Sequence, residues 1–289
     1  MLVLVLVVAG VAVDGAGERR RLTLEFPKGW PQKSSLVCVG DGQVVLYSAG
    51  ELVFGRIDGD RWREERRLEV NVPFPVQGVD SRRDEVVFVG DRRVARWREG
   101  EGMRVWEVPW DLEYVAVKGE VVYMGTRRLL LRWERGEGPG QSKVVFRARP
   151  EEDLRGVLVD GRSGLLGVWV SGVRHGPPGE VRWWDWLVML KERGEDLVVS
   201  GWVNVRDGDV AGVRGGLLWR FYWPSCDRVK AGHGEPSGLA VQDWRTWEVV
   251  GRWYGENMLG VAMDPVSGMV LAEMSDGSWA RVKLERAGK

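Results

Sequence analysis

The stretch EVVFVGDRRVARWREGEG, residues 85–102, is answered almost word for word by EVVYMGTRRLLLRWERGEG, residues 120–138. Each opens with a short run of β-branched and aromatic residues closed by glycine. An arginine pair follows, then a second apolar run carrying Arg-Trp, and then a Gly-Glu-Gly turn. Runs of this length, bounded by turn residues, read as paired strands joined by a tight connection. A phrase repeated within one chain reads as one structural unit used more than once.

Outward from this pair a second phrase recurs, a small or apolar residue and Val leading into an Asp/Gly turn. It appears as SLVCVGDG from Ser35, VQGVDSRRD from Val76, YVAVKGE from Tyr114, RGVLVDGRSG from Arg155, VAGVRGG from Val210 and LGVAMDPVSG from Leu259. Each leads directly into an apolar run such as QVVLYSAG, LLGVWVSG or MVLAEMSDG. Period-two alternation marks the third run of a unit, as in ELVFGRI and RVARWR, and the fourth is often amphipathic, as in RRLEVNV and MRVWEV.

Small and apolar first, charged last, is the order expected of a sheet whose first strand lines a central axis and whose last strand meets solvent. That is the blade of a β-propeller. The apolar second strand begins near residues 4, 44, 86, 121, 165, 217 and 269, an interval of about 44 residues that suits a four-stranded blade. The expectation is an all-β, single-domain propeller over residues 1–289, with about seven four-stranded blades and six as the alternative count. The tail, with inner strands one to three, and the head, with strands resembling two to four, close the ring in one blade. A two-sheet sandwich is the competing architecture.

Composition agrees. Forty glycines and 17 tryptophans in 289 residues, 44% of them hydrophobic, describe a turn-rich chain with ample material for a core. Forty-two basic residues balance 42 acidic ones, so no net field draws the molecule to nucleic acid or to an anionic membrane. Arginines interleaved with Glu and Asp suit a thermostable protein. Cys38 and Cys226 read as isolated thiols, with one long-range disulfide as the alternative, and no C-x-x-C pair offers a zinc or redox site. The apolar head MLVLVLVVAG lacks preceding basic residues and aligns strand for strand with a blade. It is read as structural and the protein as cytoplasmic, a secretory signal being the alternative.

From Gly238 the chain runs GLAVQDWRTWEVVGRWYGENMLGVAMDPVSGMVLAEMSDG. On Asp243, Thr246, Gly260, Val261, Ala262, Asp264, Pro265 and Gly268 this resembles the WD-repeat and YVTN-like propeller superfamily. Trp247 stands where such turns carry Gly, and the strict G-H…W-D pair is absent. The resemblance implies a fold and a habit of binding partners, with no reaction attached.

The links from an outer strand to the next inner strand share one face, and several pair proline with an aromatic residue. Trp30, Phe74, Trp110 and Tyr254 are therefore the candidate partner-binding residues, with wedges between blades as the competing role. SGVRHGPPGEVRWWDW (171–186) and YWPSCDRVKAGHGEPSG (222–238) read as extended loops. They hold His175, His233 and Cys226, whose spacing fixes no metal geometry. Trp183, Trp184 and Trp186 read as packing rather than as a stacking platform. The arginine pairs Arg82–Arg83, Arg92–Arg93 and Arg127–Arg128 sit among acidic neighbours. No nucleophile elbow, P-loop or zinc-protease helix is present. The leading functional reading is a non-catalytic scaffold or interaction module that presents one loop face to a protein partner within a larger assembly, using no cofactor, metal or membrane. A propeller enzyme or small-ligand binder at the channel mouth is the alternative, of lactonase-like or glycan-directed kind, and an RNA-binding propeller the third.

Overall fold

The computed structural model describes residues 10–13, 19–31, 36–40, 42–48, 50–82, 85–134, 136, 138–160, 163–175, 181–194, 196–205, 209–214, 217–222, 238–243, 249–254, 258–264, 267–274 and 276–286, a few of them by backbone alone. Their regular structure is β throughout, apart from one 3-10 turn at Pro139–Gln141. Two strands, β1 (Gly10–Val13) and β2 (Arg19–Glu25), come first. Blade I is β3 (Leu36–Gly40), β4 (Gln43–Ser48), β5 (Glu51–Asp58) and β6 (Arg61–Glu69). Blade II is β7 (Gly78–Arg82), β8 (Glu85–Gly90), β9 (Arg93–Arg98) and β10 (Gly102–Glu107). Blade III is β11 (Tyr114–Lys118), β12 (Val121–Gly125), β13 (Leu129–Glu134) and β14 (Lys143–Arg147). Blade IV is β15 (Glu152–Val159), β16 (Leu166–His175), β17 (Val181–Arg193) and β18 (Asp196–Asn204). Blade V is β19 (Asp209–Arg214), β20 (Leu217–Tyr222), β21 (Gly238–Asp243) and β22 (Val249–Tyr254). Blade VI begins with β23 (Met258–Met263), β24 (Val270–Met274) and β25 (Trp279–Arg286). The first strands of the blades neighbour one another in the cycle β3, β7, β11, β15, β19, β23 and back to β3.

The opening phrase shows why this ring holds. Successive side chains of a strand point to opposite faces. In β8, Val86 and Phe88 enter the cluster shared with blade I, while Val87 and Val89 enter the cluster shared with blade III, and all four are fully buried. In β12, Val122 and Met124 face blade II and Tyr123 faces blade IV. A strand covered on both sides must be apolar at every position, which is what EVVFVG and EVVYMG supply. Six apolar clusters fill the six seams. Each fully buried Val or Phe in them contributes about 1.5–3 kcal/mol. Glycine permits the closest approaches near the axis: a Cβ on Gly40 would lie 2.4 Å from the Ser81 carbonyl oxygen of the next blade.

The one-residue difference between the two phrases is a difference of turn. Between β8 and β9 only Asp91 and Arg92 intervene, with φ of 46° and 59°, the backbone of a two-residue type I′ connection. Between β12 and β13 there are three residues, and the Thr126 hydroxyl accepts from the backbone N–H groups of Arg128 and Leu129. The stretch read as an extended loop over 171–186 is mostly hairpin, because β16 and β17 stay paired out to His175 and Val181. Its alternating S-G-V-R-H and V-R-W-W-D-W segments carry the ladder outward.

The ring has six blades, not the favoured seven. β2 pairs with β25 as the fourth strand of blade VI, Leu22 is fully buried in the seam with blade V, and the Lys283 ammonium meets Glu25 at 2.7 Å. β1 lies outside β2 as a fifth strand. The head therefore completes blade VI, and the position near residue 4 that gave the seventh unit lies outside the described residues. Shared closure removes the open edge that the tail's three strands would otherwise leave.

Candidate functional site

The link aromatics sit in the seams. Phe74 is 8% exposed, in the cluster between blades I and II. Trp30 stands between the closing blade and blade I, its ring 4.8 Å from Trp62 and 6.4 Å from Trp279. Trp110 packs against the cluster between blades II and III. Both tryptophans are half-buried. Tyr254 ends β22, and its side chain lies outside the described residues. Pro-aromatic links thus drive a ring into three of the six seams, where a rigid flat side chain fills space at low entropic cost.

At the end of the axis where first and second strands turn, neighbouring blades are tied by polar bonds. The Asp80 carboxylate accepts from Val117 N–H of the next blade at 2.6 Å and from Ser81 N–H at 2.8 Å. Asp264 accepts from Gly42 N–H of blade I at 2.7 Å and from the Ser267 hydroxyl. Lys118 donates to the Gly164 carbonyl of blade IV at 2.6 Å and pairs with Glu192 at 2.7 Å, and the Tyr123 hydroxyl donates to the same Glu192 carboxylate. Burial pushes the Asp80 carboxyl up to about 7, with the nearby charge of Asp264 adding to it, against the two backbone N–H groups that favour the anion. Burial likewise raises the Cys38 thiol well above its usual value, and the Asp80 charge reinforces that. Such a buried thiol behaves as a small apolar side chain.

The other end, where links enter the first strands, is open. Between blades II, III and IV lies a cavity of about 290 Å³. Gln77, Glu113, Tyr114 and Arg155 supply its polar groups, and Val79, Val115, Val157, Leu158 and Trp169 its apolar walls. Arg155 owes its place to a bulge: β15 pairs Leu154 with Val170 and Gly156 with Trp169, leaving Arg155 as the extra residue. Bulges re-aim side chains next to sites. The Tyr114 hydroxyl, hydrogen-bonded to Glu113, is pushed up to about 12, mainly by burial and then by the Glu113 charge, with Arg155 acting the other way. The three groups therefore form one electrostatic cluster.

A third feature lies on the rim. In β18, Val198, Val199 and Trp202 are 42%, 53% and 67% exposed. Trp202 lies opposite Val188 and meets Trp186 edge-on at 6.5 Å. Of the arginine pairs, Arg127 makes a two-pronged bond to Asp153 at 2.9 and 3.0 Å, and Arg93 donates to the Pro73 carbonyl. Of the tryptophan cluster, Trp184 covers Gly172 and donates to Glu152 at 3.2 Å, and Trp186 packs in the seam between blades III and IV. The side chains of Trp183 and His175, and all of Cys226 and His233, lie outside the described residues. Among the described residues no cluster of His, Cys, Asp and Glu could hold a metal, and no helix is long and apolar enough to cross a membrane.

Sequence reading passed over Gln77, Glu113, Tyr114 and Arg155. One signal was available. The motifs Leu154-Arg155-Gly156, Val210-Ala211-Gly212 and Met258-Leu259-Gly260 occupy the same bulge in blades IV, V and VI, and blade IV alone among them has a charge there.

Five four-stranded sheets and one with a fifth, outermost strand, their first strands in a closed cycle, define a β-propeller, and this chain is a six-bladed one. Among solved structures it is similar to Kluyveromyces lactis Hsv2 (complete loop 6CD), at 10% identity over 81% of this chain and 67% of that one, with a TM-score of 0.46. No protein-family model and no curated protein matches the chain.

Proposed function

We propose that this propeller is a non-catalytic interaction module that holds a protein partner as part of a larger assembly. The observation that carries this reading is the rim of blade IV. An outermost strand usually defends itself with charge, as β6 does with the sequence RWREERRLE. β18 reads DLVVSGWVN, whose only charge is Asp196, and it leaves Trp202 two-thirds exposed. A tryptophan held edge-on against a second one, beside exposed valines, has the make-up of a binding anchor. Ser200 is the extra residue of a bulge in the β17–β18 ladder. That irregularity interrupts the strand edge, so contact runs through side chains rather than through an added strand.

The loop face framed by Trp30, Phe74, Trp110 and Tyr254 is the second part of the proposed surface. Phe74 acts from within by holding its link down, and Trp30 and Trp110 offer what the seams leave uncovered. The engaged arginines favour this reading over RNA binding, which needs a continuous free basic face.

The experiment is recovery of bound protein from the source organism by the wild type and by a Trp202→Ser, Val199→Ser double variant, with sedimentation of the purified protein alongside. The expected result is one stoichiometric partner lost with the double variant, whose melting temperature stays within a few degrees of wild type. Identical recovery by both proteins, or a self-associating wild type with no foreign partner, overturns the reading.

A further inference from the structure

We propose that the link-end cavity between blades II, III and IV is a binding site for a small zwitterion, an α-amino acid with an apolar side chain. This goes beyond the rim reading and uses none of its residues. Opposite charges line one small cavity, Glu113 from the entry to blade III and Arg155 from the bulge of blade IV. Among the described residues Arg155 has no carboxylate within ion-pair distance; the interactions it does have are longer-range ones with Asp153 and Tyr114. A guanidinium in that position takes a carboxylate in two-pronged fashion. The Glu113 carboxylate acts on the neighbouring Tyr114 hydroxyl, and its lone pairs suit an ammonium group. Val79, Val115, Val157, Leu158 and Trp169 complete the walls, and the volume of about 290 Å³ stands at the small end of the range for ligand sites. A ligand with one charge alone meets only one of the two opposite wall charges and forgoes the second charge-assisted bond, which disfavours simple acids and amines.

Comparison within the chain shows that the arginine is not a requirement of the fold. The same bulge closes normally around Ala211 in blade V and Leu259 in blade VI. Arg155→Leu therefore borrows a residue the architecture already tolerates.

The test is titration calorimetry of the full chain with three probes: L-leucine, isocaproate, which lacks the ammonium, and isoamylamine, which lacks the carboxylate. L-leucine is expected to bind saturably, and each truncated probe at least about tenfold more weakly. Arg155→Leu and Glu113→Gln are expected each to weaken L-leucine by at least about tenfold with unchanged circular dichroism. No saturable binding of L-leucine by the wild type overturns the proposal. So does binding that either truncated probe matches, or that survives both substitutions. The probe comparison in the wild type stands by itself should a variant fold poorly.

Discussion

The two ends of the axis are built on opposite principles. At the hairpin end Asp80, Lys118 and Asp264 each reach from one blade to the backbone of the next. At the link end Phe74, Trp110 and Leu112 are pressed into the seams, and a cavity lies among the first strands of blades II, III and IV. A hydrogen bond fixes distance and direction, so polar staples set the spacing of the first strands. An apolar plug fixes only volume, so the link end can vary in shape from blade to blade without unlocking the ring. The difference teaches where variation is tolerated: a charged bulge residue was accommodated at the plugged end.

The comparison can be broken at its strongest point first. Phe74→Ala removes a buried plug between blades I and II and is expected to cost about 3–4 kcal/mol in urea unfolding; a loss below about 1 kcal/mol would show that the links drape over the seams instead of filling them. Asp264→Ala removes the acceptor for Gly42 N–H in the seam that joins the closing blade to blade I. About 2–3 kcal/mol is expected there, and an unchanged midpoint would mean that packing alone sets the spacing.

The subtlest test is a pH profile of Asp80→Asn. The native carboxyl is raised to about 7 from 3.8, so the folded state holds its proton more tightly than the unfolded chain does. Stability contributed by this group is then present at low pH and is lost as pH climbs from about 4 toward 7. Asparagine removes the buried charge but keeps an acceptor oxygen for only one of the Val117 and Ser81 N–H groups, which bond to separate carboxylate oxygens, so it carries a pH-independent cost and the test lies in the slope of the profile. The variant should gain on wild type as pH increases from about 5 to 8. Parallel profiles would show the carboxylate to be as well solvated as an exposed one.

The seams were legible in sequence because strands buried on both faces must be apolar at every position, as EVVFVG and EVVYMG are. The staples were half legible. The Asp264 motif stood out, and its acceptor role toward Gly42, 222 residues away, is fixed only by closure of the ring. Shared closure of one blade by head and tail was legible, and the count came out at the alternative of six because β1 and β2, read as strands resembling two to four, add to blade VI. Pattern records that a strand exists; the sheet it joins depends on a partner at the other end of the chain. Arg155 was missed for a different reason: a one-residue bulge shifts the phase of alternation, but that shift is hard to see in a strand with apolar residues on both faces, and only comparison of the three bulge motifs marked the place.

The pairing of β2 with β25 also has a consequence for biosynthesis. β2 and β25 lie far apart in the chain, so at about 5–20 residues per second β2 waits on the order of tens of seconds for that partner strand. Through that interval Leu22 lacks the strand that completes its seam, and apolar surface left open in this way is what chaperones shield.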